Sequence, residues 1–184
     1  MKRRDALRSL ALLTGGLVLV PSCDFSKEDI LAAYHNLQIT PALKQLLADI
    51  ADTIIPPGEI KGASDLSVQD FILVMVNDCV DENGQQSFMN GLQGFEGFSK
   101  KTTGNAFSKL ETVQKEELLL AGLTTETEAE RDIRSFLGTA KRFTIQGFML
   151  SEYIQTEVKP YSLIPGDYQG EVRIADLNTE RIHG

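Results

Sequence analysis

The stretch "LSVQDFILVMVNDCV", residues 66–80, can be read two ways, and the choice between them decides the fold. Val68, Ile72, Val74, Val76 and Val80 are β-branched, which suits a strand. Yet Val68, Phe71, Ile72, Met75, Val76 and Cys79 recur at spacings of three and four, the pattern of one helix face, with Leu73 and Val74 widening it. The flanking amides Gln69 and Asn77 also suit a helix, so the stretch is read as the most buried helix of an all-α domain. On this reading Cys79 is a buried, inert thiol.

Upstream, "TPALKQLLADIADTII" (40–55) has Thr40 at a cap position and Pro41 in the first turn. Leu43, Leu46, Leu47, Ile50 and Ile54 form its apolar stripe, and Pro56 to Gly58 stops it. The polar segment "GEIKGASD" (58–65) then leads into the helix of residues 66–80. Further upstream, "SKEDILAAYHNL" (26–37) predicts a weak helix, capped by Ser26, in a tether.

Downstream, "DENG" (81–84) predicts a helix stop. "QQSFMNGLQGFEGFSKK" (85–101) has helical periodicity diluted by Gly91, Gly94 and Gly97, which predicts a weaker helix. "TVQKEELLLAGL" (112–123) predicts a short one ending near Gly122. Residues 124–158 predict one long helix or two in series, with Thr125 as cap and Glu126 and Glu128 in the first turn. Ile133, Phe136, Ala140, Phe143, Gly147, Leu150 and Ile154 continue its apolar face. After Val158 the prolines, tyrosines and glycines of "KPYSLIPGDYQGEVRIADL" (159–177) predict an extended, turn-rich arm ending in a strand-like piece, Glu171–Ile174. Strands and helices do not alternate, which argues against a parallel α/β sheet. The expectation is an all-α, compact bundle of roughly five to six helices with an irregular C-terminal arm from residue 159.

The chain opens "MKRRDALRSLALLTGGLVLVPSC" (1–23). The apolar or small run from Leu10 to Val20 has the length of a signal-peptide core and is too short to span a bilayer. Its glycines make it mildly hydrophobic, and Arg3 and Arg4 precede it, which favours twin-arginine export over ordinary secretion. "VPSC" (20–23) resembles a bacterial lipobox ending in a lipidated Cys23; the alternative is cleavage at Ser22 and an ordinary thiol. The expected organisation is a signal peptide over 1–22, a tether with a weak helix over 23–39, and a single helical domain over 40–184.

Lys2, Arg3, Arg4 and Arg8 against Asp5 give residues 1–22 a net +3, so a chain of −8 leaves −11 on the rest. Such a body does not bind nucleic acid or an anionic membrane face by charge. With two cysteines, Cys23 and Cys79, it is not a disulfide scaffold.

Catalytic patterns fail one by one. His35 and His183 lie near opposite ends of the processed chain, with no ligand spacing around them. "NDCVDENG" (77–84) aligned as a calcium loop puts Cys79 and Asn90 where carboxylates belong. "GLQGFEGF" (91–98) is not a phosphate-binding glycine order and suggests close helix packing or a bend. "GFMLSEY" (147–153) has no GxSxG elbow, and Glu152 and Glu157 do not share a helix face. No catalytic, cofactor or metal residue is nominated.

Four stretches, "LADIADTIIPPGEIKGASD" (47–65), "VQDFILVMVNDC" (68–79), "FTIQGFMLSEY" (143–153) and "PYSLIPGDYQG" (160–170), occur in the order seen in the gluconate 2-dehydrogenase subunit 3 family, which the chain resembles. The resemblance implies a non-catalytic small subunit. It would escort, export and tether a large FAD-dependent oxidoreductase of the glucose–methanol–choline type. That partner oxidises a sugar, sugar acid or polyol and passes electrons onward, often to a cytochrome c subunit. The FAD would belong to the partner, Arg3 and Arg4 would serve export of the loaded pair, and Cys23 would hold it, exported and periplasmic, at a membrane. Many relatives carry a cysteine where this chain has Glu171, so a disulfide from Cys79 to that position is unavailable here. Tyr153, Tyr161, Pro165, Gly166 and Tyr168 are the expected partner contacts, because tyrosine joins large area to a polar handle. The competing readings are a free-standing membrane-anchored lipoprotein acting as a binding module, and an enzyme of unrecognised type.

Overall fold

Thr40 opens the first helix as its sequence suggests. Its hydroxyl accepts a hydrogen bond from the Leu43 N–H at 3.3 Å, and Pro41 takes the first position. This helix, α1 (Pro41–Ile54), appears in a computed structural model that describes Tyr34, residues 36–159, Glu171 and Arg173. The described residues belong to one unit, Tyr34–Gly184. Four further helices follow: α2 (Val68–Cys79), α3 (Glu82–Thr103), α4 (Thr112–Thr124) and α5 (Arg131–Leu150). Short 3-10 turns lead into α2, α4 and α5, and a π-helical turn, Ile154–Val158, follows α5. There is no strand among the described residues, so the all-α expectation holds and residues 66–80 are resolved as helix.

The hub is α5, which packs against α1, α2, α3 and α4. Its closest seam is with α3. Phe136 of α5 meets Phe88 and Phe95 of α3 edge-on, with ring centroids 5.1 and 6.0 Å apart. Phe95 in turn meets Phe107 at 5.2 Å. Each such pair contributes roughly 0.5–1.5 kcal/mol beyond burial of its area. Three neighbours of α5 close on it at a glycine. A methyl group at Gly91 of α3 would overlap the Asp132 carbonyl and Phe136, one at Gly122 of α4 would press on Leu137, and α5's own Gly147 lies against the Phe71 ring of α2.

Several expectations are corrected. The "DENG" stretch follows the end of α2 at Cys79 as read, but it also starts a helix: Asp81 caps α3 by accepting from the Gly84 N–H at 3.0 Å. The glycine-diluted stretch is the longest helix among the described residues, because Phe88, Leu92, Phe95 and Phe98 supply a buried stripe that outweighs the propensity cost. It ends at Gly104, whose φ of 79° is the left-handed cap that glycine takes without strain. Accordingly α2 is not the most buried helix. Val68, Ile72, Leu73 and Val76 are buried, but Val74 faces solvent, and none of the helix's last three residues, Asn77 to Cys79, is buried. Cys79 is the last of these and is exposed, not a core thiol.

Thr125 does not cap α5. Its hydroxyl accepts from the Thr127 N–H at 3.3 Å and donates to Glu130 at 2.8 Å, ordering the turn before the helix, with Glu128 in the 3-10 segment. Residues 124–158 form two helical pieces in series, broken at Ser151. Leu150, expected on the buried face, is 62% exposed because α5 ends there. Of the expected weak first helix, Tyr34, Asn36 and Leu37 are not helical. Of the strand-like piece, Glu171 and Arg173 lie in neither helix nor strand. The remaining residues of both lie outside the described residues.

The chain before α1 is nonetheless anchored. Tyr34 is buried and its hydroxyl donates to Asp70 at 3.3 Å, while Lys44 pairs with the same carboxylate at 2.5 Å. Asn36 donates twice to Asn77, its backbone N–H to the Asn77 side-chain oxygen at 3.1 Å and its side-chain amide to the Asn77 carbonyl at 3.2 Å. Burial and the facing Asp70 carboxylate push the Tyr34 phenol up to about 12.

Candidate partner interface

The Pro-Pro-Gly segment after α1 would be a loose loop by composition, but the structure ties it at several points. Asp52 of α1 accepts from the Ser64 N–H at 2.7 Å and from the Ser64 hydroxyl at 2.5 Å. The Ala63 N–H donates to the Ile55 carbonyl at 3.0 Å, and Asp65 accepts from the Gly62 N–H at 2.9 Å. Ser67 then takes a positive φ of 53° to enter α2. Charge-assisted bonds to backbone N–H groups are strong anchors, so this segment is a fixed feature of the surface.

Tyr153 is brought to that segment. It follows the break at Ser151, whose hydroxyl donates to the Phe148 carbonyl at 2.7 Å, and precedes the buried Ile154 that pins the π-helical turn. Its ring is half-buried, and the Lys61 Nζ lies 4.6 Å from the ring centroid. Such a contact contributes on the order of 0.5–1 kcal/mol at an exposed site. Tyr153 is therefore engaged by its own chain on one side and accessible on the other. The other expected contacts, Tyr161, Pro165, Gly166 and Tyr168, lie outside the described residues, as do Arg3, Arg4, Cys23, His35 and His183.

Sequence reasoning missed an exposed apolar surface on α5. Ile145, Met149 and Leu150 at the end of α5 are 45%, 37% and 62% exposed. The signal was present for Ile145 and Met149, which fall off the buried stripe at a spacing of four. A second exposed pair, Val113 and Leu120, lies seven apart on α4.

Among the described residues, no group of three or more His, Cys, Asp or Glu side chains could hold a metal ion. No helix among them is long and apolar enough to cross a membrane. The clefts are open and polar-edged. One of about 300 Å³ runs between α3 and the start of α5, past Asn90, Lys101, Glu130 and Asp132. There the Asp132 carboxylate is already taken by Ser87 at 2.8 Å and Asn90 at 3.1 Å. Lys101 at 2.7 Å and Thr125 hold the Glu130 carboxyl below the usual range. These groups are spent on joining helices.

A family model described as gluconate 2-dehydrogenase subunit 3 matches residues 41–166, from the first position of α1 into the segment after the π-helical turn. No curated protein and no solved structure matches the chain.

Proposed function

The chain belongs to the gluconate 2-dehydrogenase subunit 3 family, and on that premise we propose that it is the non-catalytic small subunit that escorts, exports and tethers a large FAD-dependent dehydrogenase. The partner is of the glucose–methanol–choline type, acts on a sugar, sugar acid or polyol, and hands its electrons to a further carrier such as a cytochrome c subunit. The observation that carries this reading is the family match, which spans all five described α-helices. It makes the chain one subunit of a multi-subunit dehydrogenase. The finer role draws on the sequence. Arg3 and Arg4 precede a mildly hydrophobic run, which suits export of a folded, FAD-loaded partner. Cys23 ends a lipobox-like "VPSC", and one lipid chain would hold the pair at a membrane surface without embedding it.

The test is deletion. Cells making the dehydrogenase subunit with and without this chain are fractionated, and flavin and sugar-dependent dye reduction are followed in each compartment. Activity confined to the cytoplasm in the deletion strain supports the escort role. Full activity outside the cytoplasm without this chain ends it. A chain that purifies as a monomer and never retains a flavoprotein points instead to a free-standing lipoprotein.

A further inference from the structure

The solvent face of α5 is basic in an acidic chain. The chain as a whole carries −8, yet α5 has four cations, Arg131, Arg134, Lys141 and Arg142, against one acid, Asp132. Arg131 pairs with Glu128, and Arg134 donates to the Thr125 carbonyl at 2.6 Å. Lys141 and Arg142 are exposed and form no ion pair among the described residues. The Arg142 guanidinium is laid over the Phe143 ring, 4.4 Å from its centroid, which limits the conformations it can sample.

Arg134, Gly138, Lys141, Ile145 and Met149 follow one another at spacings of four, three, four and four. They therefore form one line along the helix, about 22 Å long at the usual helical rise. The line is basic at its start and apolar at its end. Between its two cations, Arg134 and Lys141, sits Gly138, exposed and inside the helix, where an added Cβ would meet nothing within 4 Å. Gly91, Gly122 and Gly147 are explained by close packing inside the bundle; Gly138, like Gly97 of α3, is not. It costs helix stability and has no packing reason among the described residues.

We infer that this stripe of α5 is the docking face for the dehydrogenase subunit. It takes a segment of that subunit that is acidic at one end and apolar at the other, with the segment's backbone passing closest at Gly138. The inference rests on the proposed function and adds to it the place and chemistry of contact. Charge complementarity selects the occupant. An acidic protein repels an acidic partner over most of its surface, so the basic stripe of α5 favours where such a partner approaches and in which direction it lies. A second copy of this chain fits poorly, because a twofold contact through the stripe would set Lys141 and Arg142 against their own equivalents. A lipid surface fits poorly too, because the apolar face of α5 is already buried in the bundle and only its end is left to insert.

The experiment uses the full chain, tagged and co-expressed with the FAD-dependent dehydrogenase subunit of the same organism, whose bound flavin absorbance reports capture. Two variants test the stripe: Lys141→Glu with Arg142→Glu, and Gly138→Leu. The second places bulk into solvent, where the fold has room for it. Lys100→Glu with Lys109→Glu makes the same charge change elsewhere. The expected result is capture at least tenfold weaker for both stripe variants, unchanged capture for the control, and wild-type binding that weakens with salt. Equal capture by all chains overturns the docking face and leaves the proposed function standing. No capture by the wild-type chain overturns both. Stripe-dependent binding to phosphatidylglycerol vesicles, or a stripe-dependent dimer in sedimentation, with capture unaffected, assigns the face to lipid or to a second copy and overturns the inference.

Discussion

Both carboxylate oxygens of Asp52 are occupied by Ser64, one by its backbone N–H at 2.7 Å and one by its hydroxyl at 2.5 Å. This pair closes the Pro-Pro-Gly segment onto α1 and sets the direction in which α2 starts. Asp52→Ala should lower stability by roughly 1–3 kcal/mol, since it leaves a half-buried N–H and hydroxyl unpaired. Asp52→Asn, which keeps an acceptor, should cost less. Urea unfolding followed by far-ultraviolet dichroism checks both; equal midpoints for wild type and Asp52→Ala would remove Asp52 from the account of this loop.

The contact of α3 with α5 predicts opposite outcomes for two glycines on one helix. Gly91→Ala forces the seam apart at the Asp132 carbonyl and Phe136, and should cost about 1–3 kcal/mol. Gly97→Ala meets nothing within 4 Å and should be stabilising by about 0.5–1 kcal/mol through helix propensity alone. The sign of the difference, read from denaturation midpoints, is the decisive quantity.

Gln85 of α3 acts as the C-terminal cap of α2. Its amide nitrogen lies 3.2 Å from the Val76 carbonyl, 2.9 Å from that of Asn77 and 3.0 Å from that of Val80. An amide has two hydrogens, so the three acceptors share them. Gln85→Ala should cost roughly 1–3 kcal/mol. Amide exchange should rise first around residues 76–80, and a uniform rise across the bundle would contradict a local capping role.

Tyr34 makes stability depend on alkaline pH. Its folded value of about 12 lies above the ordinary tyrosine value of 10.0. The folded state therefore holds the phenolic proton more tightly. The stabilisation is full below pH 10 and is lost as pH rises from 10 toward 12. Tyr34→Phe should flatten that part of the stability profile relative to wild type while lowering stability near neutral pH by about 1 kcal/mol. Parallel slopes for the two proteins above pH 10 would refute it.

Local chemistry was the legible part of the fold. Thr40, Pro41 and the Pro-Pro-Gly stop bound α1 as read, because caps and breakers act within a few residues. The spacing of Val68, Ile72 and Val76 sufficed to choose helix over strand. What escaped was tertiary. Nothing local marks Gly91 as a packing surface instead of a helix breaker, since the reason is Phe136, forty-five residues away. Cys79 continued an apolar spacing past the point where neighbours cover α2, and Leu150 did the same at the end of α5. Of the candidate surface, only Tyr153 was named from sequence; Ile145 and Met149 fall off the buried stripe of α5, but that spacing alone does not mark an apolar residue there as exposed.

The hub of the bundle, α5, is also the last α-helix among the described residues, and its seam with α3 joins side chains such as Ser87 and Asp132, which are 45 positions apart. Order of synthesis then becomes part of the fold. As the chain emerges from the ribosome, α1 to α4 have little to condense on until residue 150 is out, because the element they share has not been made. A partner that recognises the finished bundle therefore meets it only after α5 has been made.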